Sequence, residues 1–352
     1  MTGLERLLIA RIAAAGPITL ADYMADCLMH PEHGYYSTRD PFGAAGDFTT
    51  APEISQMFGE VLGLCLAQSW RDQGSPMRFT LAELGPGRGT LMADMLRATR
   101  GVAGFHAAAE VVLVEASPVL RTVQARTLAG FAPVWADAVD ALPAQPLFLI
   151  ANEFFDALPI NQFQRVGEVW HQRMVGVAAG RLTFGLSPAS PGPRFADDPP
   201  GTVVEVCPAL PAIAGVIGQR IAAHGGAAIV VDYGGWRSKG DTLQALRAHR
   251  PEDPLANPGE ADLTAHVDFE ALALAIGVAH TGLTDQGVLL RRLGIDQRAA
   301  RLAQGLTGAA LQSHLAAHRR LTDAAQMGSV FKAIAFHTDG TPSLPGFDAA
   351  HA

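Results

Sequence analysis

The spacing of apolar and polar positions changes character twice along this chain. Residues 4–15 carry apolar positions at helical intervals until Gly16-Pro17 stops them, and Thr19 then caps a second helix to about Met29, with Asp22 three residues on. An irregular stretch follows from His30 to Glu53. It is rich in glycine, proline, aromatics and hydroxyls, and it is too long for a plain connection, so it reads as a functional loop. A long helix is expected from about Pro52 to Trp70, with proline in the first turn and Glu53 at the favourable end of the dipole. From Phe79 onward the pattern becomes short, continuous apolar runs separated by helical segments. Phe79 to Leu84, Val111 to Val114, Val134-Trp135, Pro146 to Ala151, Ala227 to Val231 and Phe331 to His337 read as buried strands.

Two stretches break this alternation. Residues 160–200 alternate apolar and polar positions, in Gln162 to Met174 and Arg181 to Leu186, which predicts a β-hairpin insertion ending in a proline-rich loop. Residues 236–327 are expected to be a mostly helical lid, with a loop around Pro251 to Pro258. The predicted organisation is therefore α/β. Residues 1–77 form an N-terminal helical cover with a cofactor loop, and a Rossmann-like core occupies 78–159 and 201–235. The two insertions follow from these, and 328–352 supply a closing strand and tail.

Composition narrows the possibilities. A chain of 352 residues, 49% hydrophobic, has ample core for one large domain or two. A net charge of −8 argues against a general nucleic-acid binder. Lysine occurs only at Lys239 and Lys332, which reads as a coding bias. Cys27, Cys65 and Cys207 lie far apart, which disfavours a disulfide framework or zinc knuckle. No apolar run reaches membrane-spanning length, and Arg11 interrupts the signal-peptide-like Leu7-Leu8-Ile9-Ala10 run. A cytoplasmic protein without membrane insertion is expected.

The chemistry centres on Glu83-Leu-Gly-Pro-Gly-Arg-Gly-Thr90, where a strand ends in Gly85, Gly87 and Gly89 and a helix begins. Glycine lets backbone approach a ligand closely, so strand, glycine turn and helix form the opening unit of a nucleotide-binding α/β fold. A dinucleotide fingerprint wants its third small residue where Thr90 stands, and a phosphate-cradling loop wants a lysine that is absent here. Polar residues close the following strands as well: Glu115, Asp137, Asn152-Glu-Phe-Phe-Asp156 and Asp232-Tyr233. That is the edge at which open parallel sheets bind ligands.

With these residues assembled, the chain resembles the MidA-like family of class I S-adenosylmethionine-dependent methyltransferases. The resemblance spans roughly residues 16–337 and rests on Gly16 to Met24, His33-Gly-Tyr-Tyr36, Gly46 to Gln56, Glu83 to Thr90, Asn152 to Pro159 and Asp262 to Asp268. Gly235-Trp236, after Asp232-Tyr-Gly234, departs from the aromatic arrangement expected there. The family's mitochondrial member is a respiratory complex I assembly factor that methylates an arginine of a complex I subunit. The resemblance therefore implies S-adenosylmethionine as cofactor and a protein substrate, with a bacterial member as the natural reading.

Roles follow by position. The turn at Gly85, Gly87 and Gly89 would pack under the cofactor, Glu83 would take its ammonium, Glu115 the ribose hydroxyls and Asp137 the adenine amino group. Asp47 and Thr49 would reach the methionine end. Glu153 and Asp156, with Asn152 beside them, would grip an acceptor guanidinium, and His266 would accept a proton. Plainer readings compete. They take the turn as helix packing, Glu115 as a surface acid, Asn152 to Asp156 as caps and His266 as a packing residue. The pairs His30/His33 and His314/His318 lack further ligands, so no metal is expected. A small-molecule acceptor, or a cofactor-binding assembly chaperone without turnover, are the alternative functions.

Overall fold

A computed structural model of the protein describes residues 1–38, 50–190, 192 and 198–350. The chain divides into two compact units. One comprises Thr49–Phe155, Pro211–Trp236 and Asp268–Ala352, and the other Met1–Phe48, Asp156–Leu210 and Arg237–Val267.

The first unit is built on a sheet whose main path has seven strands: β1 Phe79–Leu84, β2 Ala109–Val114, β3 Val134–Ala136, β4 Leu147–Asn152, β5 Gly226–Gly235, β6 Ala279–His280 and β7 Phe331–His337. Their order is β6-β7-β5-β4-β1-β2-β3. The five strands from β1 to β5 pair in parallel, and β7 runs antiparallel to both β5 and β6. Every residue of β1 and of β4 is buried. Continuous apolar strands of this kind arise because helices cover both faces of a parallel sheet. The chain runs outward from β1 to β3 and then returns to place β4 on the other side of β1. That reversal opens a crevice at the carboxyl ends of β1 and β4, the usual ligand position in such sheets.

Around this sheet lie α1 Ala51–Ile54, α2 Gln56–Asp72, α3 Thr90–Ala98 and α4 Pro118–Thr127. The single long helix expected from Pro52 to Trp70 is two. Ser55 is extended (φ −161°) and its hydroxyl accepts the Met57 N–H at 3.3 Å, so it stops α1 and caps α2. Helix α2 is also more than cover. Met57, Phe58, Leu62 and Leu66 join the sheet's own core, and Gly59 and Gly63 let α3 approach closely. A Cβ at Gly63 would lie 2.7 Å from the Met95 Cα.

The second unit carries an antiparallel sheet of Ile18–Thr19, Asn161–Val166, Val169–Ala178, Arg181–Ser190 and Val203–Val206. The excursion expected over 160–200 thus continues to Val206, which pairs with Asn161. Helices Gly3–Ala15 and Leu20–Met29 supply Leu4, Leu8, Tyr23 and Met24 to this unit's core.

Residues 244–264 correct the expectation of a mostly helical segment. They form a three-stranded antiparallel sheet of Gln244–Arg247, Arg250–Glu252 and Asp262–Thr264. The hairpin turns on Ala248 (φ +49°) and His249 (φ +61°), two left-handed residues that carry none of the usual Asn-Gly signal. Helices resume only from Phe269.

Candidate active site

Strand β1 delivers its glycine turn to the crevice in a form held by several hydrogen bonds. Gly85, Gly87 and Gly89 have φ of +59°, +53° and +80°, conformations that L side chains rarely adopt. The Gly85 N–H donates to the Val114 carbonyl at 3.1 Å, and the Gly89 N–H to the Pro86 carbonyl at 2.7 Å. From α4, the Gln124 amide donates to the Gly87 carbonyl at 2.8 Å. A Cβ at Gly85 would come within 2.9 Å of the Phe154 ring, so the turn forms a cradle closed on one side by an aromatic.

Strand register decides which polar residues share that cradle. Glu83 pairs with Leu113 on β2 and Ile150 on β4, and Leu113 pairs with Trp135 on β3. Residues two apart on a strand face the same way. Glu83, Glu115, Asp137 and Asn152 therefore project from one face at the carboxyl edge.

Their environments differ sharply. Glu83 is buried, and burial pushes its carboxyl up to about 8. A hydrogen bond from the Met92 backbone opposes that shift, and the neighbouring charge of Glu115 adds to it. Its Oε2 has no partner among the described residues. Glu115 is also raised by burial, with opposition from its own hydrogen bonds. Its two oxygens accept the Ser117 N–H at 2.7 Å and the Gln124 amide at 3.1 Å. Asp137 instead reaches solvent, its side chain 90% exposed, and pairs with Arg121 at 2.6 Å.

At the end of β4, Asn152 donates its amide to Glu153 Oε1 at 3.0 Å, while its own Oδ1 is buried and unpartnered among the described residues. Glu153 has φ +52°, unusual for a residue with a side chain, and its N–H donates to the Val231 carbonyl at 3.0 Å. Its Oε1 also accepts the Ala51 N–H at 3.3 Å. Asp232, fully buried, takes the N–H groups of Phe155 and Tyr233 at 3.0 Å each, which fixes the exit of β4.

The remaining candidates belong to the second unit or fall outside the described residues. Asp156 belongs to the second unit, where it is buried and its carbonyl accepts the Ala265 N–H at 3.0 Å. In that unit Tyr36 donates its hydroxyl to Asp262 Oδ1 at 2.8 Å. Burial first, then the charges of Asp262 and Asp156, holds the Tyr36 hydroxyl well above its ordinary range. His266, also in the second unit, is anchored by its N–H to the Thr242 hydroxyl at 2.8 Å. Asp47 and Thr49 lie outside the described residues. Among the described residues no group of three histidine, cysteine or acidic side chains is placed to hold a metal ion.

The sequence marked Glu53 as a dipole residue within the Gly46–Gln56 segment, without a partner. It accepts the Thr90 hydroxyl at 2.5 Å, directly beyond the glycine turn. No local pattern announces that pairing, because 37 residues separate the partners.

Two buried acceptors without donors, Glu83 Oε2 and Asn152 Oδ1, beside a cradle that a side chain would fill, suit a ligand bringing an ammonium group. The methionine portion of S-adenosylmethionine carries such a group.

Comparison with known proteins agrees. Residues 61–288 match the family described as S-adenosyl-L-methionine-dependent methyltransferases. The chain is 37% identical to the "Protein arginine methyltransferase NDUFAF7, mitochondrial" of Xenopus tropicalis, covering 92% of this chain and 83% of the relative. It is 39% identical to the human protein of that name, over 85% and 75% respectively. A Burkholderia thailandensis protein crystallised with S-adenosyl-homocysteine superposes with a TM-score of 0.84 at 32% identity, covering 97% of this chain and 93% of that one. The chain belongs to this family and is an S-adenosylmethionine-dependent methyltransferase.

Proposed function

We propose that the enzyme methylates an arginine side chain of a protein, with a subunit of respiratory complex I as the substrate that the family resemblance implies. The names of the relatives support the arginine acceptor. The observation that carries the reading is Glu153, a carboxylate fixed by Asn152 and Ala51 at the end of β4, next to the glycine cradle.

On this reading the turn at Gly85, Gly87 and Gly89 holds the cofactor's methionine and ribose portions, and Glu83 accepts its ammonium with Asn152 Oδ1 close to hand. Glu115 receives the ribose hydroxyls. Asp137, tied to Arg121 on the surface, stands at the adenine end. When bound, S-adenosylmethionine supplies a methyl group already activated on a sulfonium.

The chain's task is then to orient the acceptor nitrogen. A guanidinium is always protonated and its lone pair is delocalised. A fixed carboxylate that hydrogen-bonds the non-reacting nitrogens localises positive charge on them and leaves the attacking nitrogen richer in electrons. On this reading Glu153 does that work, and its hydrogen bonds to Asn152 and Ala51 support it by holding the carboxylate.

Mass spectrometry of complex I subunits from cells with and without the gene tests the acceptor. Loss of methylation at one arginine is expected, and an unchanged pattern would sink the protein-arginine reading.

A further inference from the structure

The four-residue helix α1 touches both strand ends that flank the crevice. At one end, the Ala51 N–H donates to Glu153 Oε1, just beyond β4. At the other, Glu53 Oε1 accepts the hydroxyl of Thr90, the first helical residue after the glycine turn of β1. Arg88, inside that turn, lies 4.0 Å from Glu53 Oε2.

The turn has particular need of such a tie. Gly89, which precedes helix α3, has no side chain to cap it, so the start of the helix lacks a side-chain cap. Glu53 reaches in from a separate segment and holds the neighbouring hydroxyl with a charged, short hydrogen bond. The segment that carries it is itself stiff. Pro52 sets its first turn, the Glu53 N–H donates to the Thr50 carbonyl at 3.0 Å, and Ala51 and Thr50 are buried.

We infer that Glu53 is a positioning residue for methyl transfer: through Thr90 it clasps the cofactor turn, and through its own helix it keeps that turn in register with Glu153. This inference rests on the crevice being the cofactor site. It predicts that Glu53 and Thr90 act as one unit although neither is a catalytic residue. Loss of the tie loosens the turn, which weakens cofactor binding. It also lets α1 shift against Glu153, which slows transfer even when the cofactor is saturating.

A double-mutant cycle on the full-length enzyme tests it. Calorimetry should show S-adenosylmethionine binding weakened about tenfold in Glu53→Ala and by a similar factor in Thr90→Val. The double variant should be no weaker than either single one. Glu53→Gln, whose amide oxygen can still accept the hydroxyl, should stay within about threefold of wild type. At saturating cofactor, kcat of Glu53→Ala should remain depressed.

A residue that merely stabilised the fold would lower Tm and leave the dissociation constant unmoved. That result, or losses that multiply in the double variant, would overturn the inference. If Glu53→Ala fails to fold, Thr90→Val and Glu53→Gln still decide the matter, because each alters one atom group. Wild-type protein that binds no S-adenosylmethionine would overturn the cofactor site together with the clasp, whereas normal binding unaffected by Glu53 overturns the clasp alone.

Discussion

Gly85 and Phe154 face one another so closely that a Cβ on the glycine would stand 2.9 Å from the ring. The glycine follows β1 and the phenylalanine follows β4, so this contact measures the narrowness of the crevice where the sheet's connectivity reverses. Two costs follow for Gly85→Ala: a left-handed alanine at φ +59° and a steric push on the ring. Together they should destabilise the protein by roughly 1–3 kcal/mol and abolish measurable cofactor binding. Adding Phe154→Ala should recover part of the binding by removing the push. Calorimetry and thermal melts of the single and double variants would check both statements, and full binding by Gly85→Ala would remove the turn from the site.

Glu83 makes the ligand-free protein sensitive to pH in a direction opposite to that of most acids. Its folded carboxyl titrates at about 8 against an ordinary value of 4.5. Between these values the native state keeps a proton that the unfolded state releases, so stability falls as pH rises from about 4.5 to about 8. Glu115, also raised by burial, acts in the same direction. In Glu83→Gln the pH dependence of Tm should flatten, with the Glu115 share remaining. An ammonium placed against Glu83 should ionise it. Calorimetry near pH 7 in buffers of different ionisation enthalpy should therefore show net proton release on cofactor binding, lost in Glu83→Gln. Equal heats in all buffers would contradict the assignment.

Glu153→Gln keeps the size and the backbone of the side chain while removing its charge. Transfer should fall at least about a hundredfold, as expected when a fixed electrostatic partner of the transition state is lost. Cofactor affinity and Tm should hardly change, because the amide oxygen can still accept from Ala51. A variant that retains wild-type turnover would exclude Glu153 from the chemistry.

Glu60 sets the opposite limb of the pH profile. Its burial favours the neutral acid, yet Arg298 at 2.6 Å and Arg97 at 2.6 Å outweigh that and lower its titration below the ordinary range. The stability it confers is thus present above that range and lost on acidification through the lowered value. Both arginines are more than a third exposed, so solvent screens the pairs. Glu60→Gln should cost roughly 2 kcal/mol at neutral pH by chemical denaturation, shrinking as pH falls. A cost that did not vary with pH would show that packing, not charge, is what Glu60 provides.

The sequence by itself determined the parallel sheet, the turn and the acids that end its strands. A strand covered on both faces must be apolar throughout, and backbone that approaches a ligand must be glycine, so β1, β4 and Gly85 to Gly89 declare themselves locally. Burial of Glu83 and exposure of Asp137 do not, because both are simply acids at strand ends until neighbouring helices cover one and leave the other in water. The hairpin at Ala248-His249 was equally hidden, since two ordinary residues hold left-handed conformations there only because the strands on either side pair. The tie from Glu53 to Thr90 and the grip of Ala51 on Glu153 belong to the same class. Hydrogen bonds between residues far apart in the chain leave no periodicity to read, and only the fold that brings α1, β1 and β4 together decides that they exist.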